Sequence, residues 1–261
     1  MNFKSISYYL SLFCFPITIL SFVNILYASY FDYFLSIKSY FATLLISFVM
    51  GIGLFILGNK NEKKINFIDK LILILLVYLF NGFLISIPFY LSSLNVSFLN
   101  AFFESISGLT GTGFSTLKNM KYSDPTLILW RSSSQWIGGL YFLYFLILFF
   151  SNKSFNFKMT DLTFSGESNF KSEENIKNNL LRIFIFYCIL SSIIFMLLNI
   201  SGVRLFNSLN LTMTLISSGG FLPSDNLSEI IETNFQKIVL SFSLIISLLN
   251  FFFLFNIFKK N

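Results

Sequence analysis

Apolar residues run along this chain in long blocks rather than in strand-like alternation or narrow helical stripes. Six blocks have the length, roughly 17–25 mostly apolar residues, that an α-helix needs to cross a bilayer. They are Tyr8–Tyr30, Tyr40–Leu57, Leu71–Leu91, Thr126–Phe150, Ile183–Ile200 and Ile238–Ile257. Two stretches break this pattern, one between the third and fourth blocks and one between the fifth and sixth. Each holds a short apolar piece followed by a turn rich in Gly, Ser and Thr. Such a piece is too short to span but suits a helix that enters the membrane and turns back. Irregular backbone is tolerated at membrane depth only where it lines a cavity or is buried in protein. The expected fold is all-α and integral to the membrane, with six transmembrane helices plus two re-entrant pore helices.

Local signals refine the boundaries. Asp124 precedes Pro125, which pairs an N-capping side chain with proline at the first helical position. Ser151–Lys177 is the most polar part of the chain and reads as a cytoplasmic connector. The first apolar block is longer than a typical secretory h-region and no A-x-A-like cleavage site follows it. It is expected to be a retained first helix.

Shifting the chain by 107 residues superposes the two interrupted stretches without gaps. Asn100 falls on Asn207, Gly113 on Gly220 and Phe114 on Phe221. Hydroxyls fall on hydroxyls: Ser105 on Thr212, Ser107 on Thr214, Thr110 on Ser217. Each stretch is flanked by apolar spans, so the unit is helix–pore loop–helix, present twice. The expected division is an N-terminal transmembrane helix pair at 1–64 and a first helix–pore-loop–helix repeat at 65–152. The cytoplasmic connector follows at 153–177 and a second repeat at 178–261.

Composition agrees with a lipid solvent. Hydrophobic residues make up 55% of the 261 and charged residues 11%, against about 25% charged in a soluble domain. The 37 Phe partly reflect compositional bias. The net charge of +6 is the positive-inside bias of a membrane protein, and no soluble basic domain is visible that would bind nucleic acid. With the N-terminus inside, the inner segments hold Lys4, Lys60, Lys63, Lys64, Lys70, Lys153, Lys158, Lys171, Lys177, Arg182, Lys259 and Lys260. The outer segments hold only Lys38, Lys118, Lys121, Arg131, Arg204 and Lys237. Both termini are therefore expected to be cytoplasmic, in a multi-pass protein of the cytoplasmic (inner) membrane, with both loops entering from outside. Cys14 and Cys188 lie in separate apolar runs and read as small buried hydrophobes. The chain has no His, which removes His-based catalysis and imidazole ligation.

The chemistry sits in the two loops, Thr110-Gly111-Thr112-Gly113-Phe114-Ser115 and Ser217-Ser218-Gly219-Gly220-Phe221. A potassium ion sheds its water to enter a narrow filter, and rows of backbone carbonyls replace that water. Gly permits the backbone angles that such rows demand. Ser and Thr hydroxyls add oxygens or brace the loop. Neither loop has a charged side chain, which suits a monovalent cation, whereas hard divalent ions recruit carboxylates. The C-terminal end of each short helix would add partial negative charge towards the path.

The run Phe102-Phe103-Glu104-Ser105-Ile106-Ser107-Gly108-Leu109-Thr110-Gly111-Thr112-Gly113 resembles the first pore loop of the Trk/Ktr/HKT-type potassium transporter family. So do Leu129-Trp130-Arg131-Ser132 and Gln135-Trp136-Ile137-Gly138-Gly139 at the start of the next helix. Asn207 to Phe221 looks like the family's second repeat. The resemblance runs from Leu71 to the C-terminus, and the first two helices match the extra N-terminal pair of Trk-type members. It implies that Gly113 and Gly220 are filter glycines. It implies that Thr110, Gly111, Thr112, Ser217, Ser218 and Gly219 supply neighbouring ion-facing backbone. The family commonly has Thr where Gly111 sits, which points to a looser filter here. Family members carry four repeats around one pore and this chain carries two. A complete pore then needs a second copy or a separately encoded second half, and the resemblance also implies a cytoplasmic nucleotide-binding regulatory subunit.

Glu104 lies within the first short helix, where an ionisable group is a functional candidate. It either raises local cation concentration or braces the loop; bracing is favoured, with Arg131 as partner, because an unpaired Arg at that depth is costly. Asp225, Glu229 and Glu232 either draw cations to the mouth or belong to a solvated loop. Asn81 and Gly82 mark a helix–helix contact. The expected function is uptake of potassium, with sodium as the alternative cargo and no cofactor. The rival is a non-conducting membrane subunit or truncated remnant that assembles with a complete transporter. An enzyme is disfavoured, since no nucleophile–base spacing occurs.

Overall fold

The computed structural model describes residues 2–58, 65–92, 94–117, 120, 123–150 and 173–248. Most of the expected connector, and the sixth predicted span beyond residue 248, lie outside the described residues. The chain folds as α1 (Phe3–Tyr30), α2 (Phe34–Gly58), α3 (Phe67–Tyr90), α4 (Phe98–Thr110), α5 (Pro125–Phe150), α6 (Glu173–Ile200), α7 (Leu205–Ile216) and α8 (Asn234–Leu248), with a 3-10 turn at Leu227–Glu229. No strand occurs among the described residues. The all-α expectation holds.

Among the described residues, four helices are long and apolar enough to cross a membrane: α1, α2 from Ser36, α3, and α6 from Leu180. The sequence also places spans on α5 and α8. In its first half α5 carries Arg131, Ser132, Ser133, Ser134 and Gln135, all buried. They face the interior, so hydropathy understates this helix. Both α1 and α6 begin earlier than their apolar blocks, because hydropathy marks contact with lipid and a helix closes its own hydrogen bonds in water as well. At 13 and 12 residues, α4 and α7 are about 20 Å long or less at 1.5 Å per residue, too short to cross. They start at Phe98 and Leu205, the separation given by the sequence repeat.

Helix α5 joins two apolar clusters. Its Ile137, Tyr141 and Phe145 pack with α1 and α3, while Leu140, Leu143 and Ile147 pack with α6, α7 and α8. Buried polar bonds fasten its neighbours to it. Tyr141 Oη donates to the Phe13 carbonyl of α1 at 2.6 Å, and Tyr40 Oη of α2 to Thr126 Oγ1 at 3.2 Å. Trp130 Nε1 donates to the Ile85 carbonyl of α3 at 3.0 Å, and Tyr187 Oη of α6 to the Trp136 carbonyl at 2.9 Å. Asp124 caps α5 as expected, accepting from the Thr126 N–H at 2.9 Å. Lys70 Nζ donates to the Leu148 carbonyl at the other end. Large apolar side chains such as Ile19, Phe22, Leu75, Ile189 and Met196 are exposed, the arrangement expected of a lipid-facing surface. Cys14 and Cys188 are free thiols.

Candidate functional site

Both short helices end in the same backbone turn. After α4, Gly111 adopts the left-handed conformation at φ 69°. Its N–H donates to the Gly108 carbonyl at 3.1 Å, and the Thr112 N–H reaches the Ser107 carbonyl at 3.2 Å. After α7, Ser218 is left-handed at φ 52°. Its N–H donates to the Leu215 carbonyl at 2.9 Å, and the Gly219 N–H to the Thr214 carbonyl at 2.8 Å. This pair of bonds is the Schellman closure, repeated at equivalent positions. It turns each chain sharply off its helix. Ser218 is unexpected there, since the left-handed region favours Gly.

The turns bring the loops together. An ideal β-carbon on Gly113, at φ 74°, would lie 2.7 Å from the Gly220 amide nitrogen, and one on Gly111 would lie 3.3 Å from the Ser217 carbonyl oxygen. The backbones of the two repeats are therefore in contact at the predicted glycines. Thr110, Thr112, Ser218 and Gly220 are exposed, and Gly111, Gly113, Ser217 and Gly219 are half-buried. All eight predicted positions thus keep accessible surface, and the two sets approach each other at Gly113–Gly220 and Gly111–Ser217. Phe114, beside them, is 72% exposed.

Behind that surface lies a buried polar brace. Arg131 Nε donates to Glu104 Oε1 at 2.6 Å, and both side chains are almost wholly buried. Glu104 also accepts from Ser115 Oγ at 2.9 Å and from the Thr116 N–H at 3.1 Å. The carboxylate so holds the chain that leaves the first loop. Arg131 reaches the second loop as well, donating to the Leu222 carbonyl at 3.1 Å with its guanidinium carbon 3.8 Å from the Phe221 ring centroid. Glu104 braces, and it faces its partner rather than the loop surface.

Further along α5, Gln135 Oε1 accepts from the Phe221 N–H at 3.3 Å. A β-carbon on Gly138 would strike the Leu109 carbonyl, and one on Gly139 would lie 2.9 Å from Ser217 Cβ. Positions 131, 135, 138 and 139 form one helical face, so α5 backs both loops. Beyond the loops, Asp225 Oδ1 accepts from the Met120 N–H at 2.9 Å, tying together the segments that follow them. Glu229 is exposed. Gly82 takes the expected helix contact: a β-carbon there would strike Ile106, and its carbonyl accepts from Ser105 Oγ at 2.7 Å.

No protein-family model matches the chain. It is 30% identical over 181 residues to an uncharacterised cation transporter of Methanocaldococcus jannaschii, covering 65% of this chain and 37% of that protein. It is 28% identical over 106 residues to the Trk system potassium uptake protein TrkG of Escherichia coli K12, covering 40% of this chain and 22% of that protein. The fold matches the crystal structure of the potassium transporter TrkH from Vibrio parahaemolyticus with a TM-score of 0.80 and 19% identity, over 94% of this chain and 50% of that one. The chain is similar to Trk-type potassium and cation transporters, over part of its length in sequence and over 94% of it in fold. It spans 37% of the first of these relatives and half of the solved structure.

In this chain the sequence pointed to the loops and to the Glu104–Arg131 pair. It did not point to Gln135 as a support of the second loop. The signal that could have found it is its spacing, one helical turn after Arg131 on the same face.

Proposed function

We propose that the chain carries potassium across the cytoplasmic membrane by presenting Thr110–Gly113 and Ser217–Gly220 as two segments of a carbonyl-lined filter. The observation that carries this reading is the contact between Gly113 and Gly220. Two loops with one backbone turn, supplied by two repeats, meet on an accessible surface that bears hydroxyls and carbonyls and no charge. Carbonyl dipoles of this kind replace the hydration shell of a monovalent cation. The membrane potential would drive uptake, worth about 2.3 kcal/mol per charge per 100 mV.

On this reading α4 and α7 are re-entrant helices entering from outside, with both termini cytoplasmic. The chain supplies half of a four-repeat pore. The other half is a second copy or a separately encoded partner, which would cover the exposed loops and Phe114. A cytoplasmic nucleotide-binding regulatory subunit is part of the same proposal by family likeness.

The test is potassium-limited growth and rubidium uptake in a host stripped of its own potassium uptake systems, with the chain expressed alone and with candidate second halves. Gly113→Val, checked for equal membrane abundance, should abolish any gain. Equal rescue by wild type and Gly113→Val would refute the filter and favour a non-conducting subunit.

A further inference from the structure

We propose that Gln135 is the positioning residue of the second loop and that, through this loop, it tunes which monovalent cation the site prefers. The inference rests on the reading of the two loops as an ion path.

The two loops share a backbone turn but not a support. The first loop is held by Glu104, which belongs to its own repeat. At the positions 107 residues on from Glu104, Arg131 and Gln135 the second repeat has Leu211, Ile238 and Phe242. None of these can hydrogen-bond. The second loop is instead held by the first repeat's helix α5, through Arg131 and Gln135. Arg131 has its shortest bond to Glu104, and it meets the second loop only at its end, at the Phe221 ring and the Leu222 carbonyl.

Gln135 acts on the loop itself. Its side chain is fully buried. Oε1 accepts from the Phe221 N–H at 3.3 Å. A β-carbon on Gly219 would lie 2.4 Å from Cδ, 2.5 Å from Oε1 and 2.6 Å from Nε2. The amide therefore lies against the bare α-carbon of Gly219 and sets how far Gly219 and Gly220 can retreat. The N–H of Phe221 fixes which end of the amide faces it, since Nε2 cannot accept. Nε2 is left buried without a hydrogen-bond partner among the described residues. An unsatisfied buried donor is unfavourable, and this one lies against Gly219, 2.6 Å from where a β-carbon would stand. A small rotation of the loop would let a carbonyl accept from it, at the expense of that carbonyl's role towards an ion. Gln135 thus couples loop position to the number of carbonyls free for a cation, and carbonyl number is one lever of selectivity.

The test uses the full chain in lipid nanodiscs, assembled with whichever second half supports rubidium uptake, with wild type, Gln135→Leu and Gln135→Glu. Hydrogen exchange of peptides covering 217–222 is compared with those covering 111–116. Thermal unfolding is followed against K+, Rb+, Cs+ and Na+ chlorides. Gln135→Leu should speed exchange in 217–222 about tenfold, leave 111–116 unchanged, and shift the K+/Na+ ratio of stabilising midpoints. Gln135→Glu keeps the acceptor and should restore the protection. Gln135→Asn serves if the leucine variant does not fold. Wild type without any cation-dependent stabilisation overturns the filter reading and this inference with it. Wild type with cation dependence, but the same ratio in Gln135→Leu, overturns this inference alone, even if exchange rises.

Discussion

A β-carbon placed on Gly113 would lie 2.7 Å from the amide nitrogen of Gly220, whereas one placed on Gly220 comes no closer than 3.5 Å to Gly113. The relation is one-sided. Gly113 is also left-handed, at φ 74°, and Gly220 is not among the positive-φ residues. Gly113→Ala adds left-handed strain to a clash with rigid backbone and should cost about 2–4 kcal/mol. Gly220→Ala places its methyl at ordinary contact distance and should cost under about 1 kcal/mol. Thermal unfolding in detergent, with the cation-dependent shift read in parallel, checks this. Equal losses would show that the loops do not meet in this way.

Glu104 and Arg131 form a buried pair whose remaining bonds reach both loops. Removing either partner alone leaves a buried charge and should cost about 3–5 kcal/mol. The double variant Glu104→Leu/Arg131→Met should cost less than the sum of the two, with a coupling of about 1–3 kcal/mol. A double-mutant cycle by chemical unfolding measures it. Additive losses would mean that the two side chains do not interact.

Ser218 occupies a left-handed position that its counterpart Gly111 fills without strain. Ser218→Gly should stabilise the protein by about 0.5–1 kcal/mol, and Gly111→Ser should destabilise it by a similar amount. Ser218→Gly also removes a hydroxyl from the proposed ion path. If carbonyls are the donors, the cation response survives the change. Loss of that response in a stably folded Ser218→Gly would assign the ion contact to the hydroxyl.

Asp225 is exposed and accepts from the Met120 N–H. Asn at this position keeps an acceptor and removes the charge, whereas Ala removes both. We expect Asp225→Asn to match wild type in exchange over 115–123 and Asp225→Ala to exchange about fivefold faster there. A lower cation affinity in Asp225→Asn, relieved at high ionic strength, would instead assign Asp225 a role in drawing cations to the mouth.

Much of this was legible in the chain. Apolar block length marks lipid contact, so the helices stand where the blocks lie. Gly, Ser and Thr at matched positions 107 residues apart marked the loops, because turn chemistry is local. The Glu104–Arg131 pair was legible because an isolated charge at depth is unfavourable. By itself, then, the sequence determined the helices, the repeat and the loops. Tertiary structure decided the rest. It placed α5 behind both loops, so that Gln135, Gly138 and Gly139 press on Leu109, Ser217, Gly219 and Phe221. It made Gly113 and Gly220 unequal and held Ser218 left-handed. These outcomes depend on which helix faces meet and how closely, and a pattern of apolar blocks sets the number of helices without setting the faces they share.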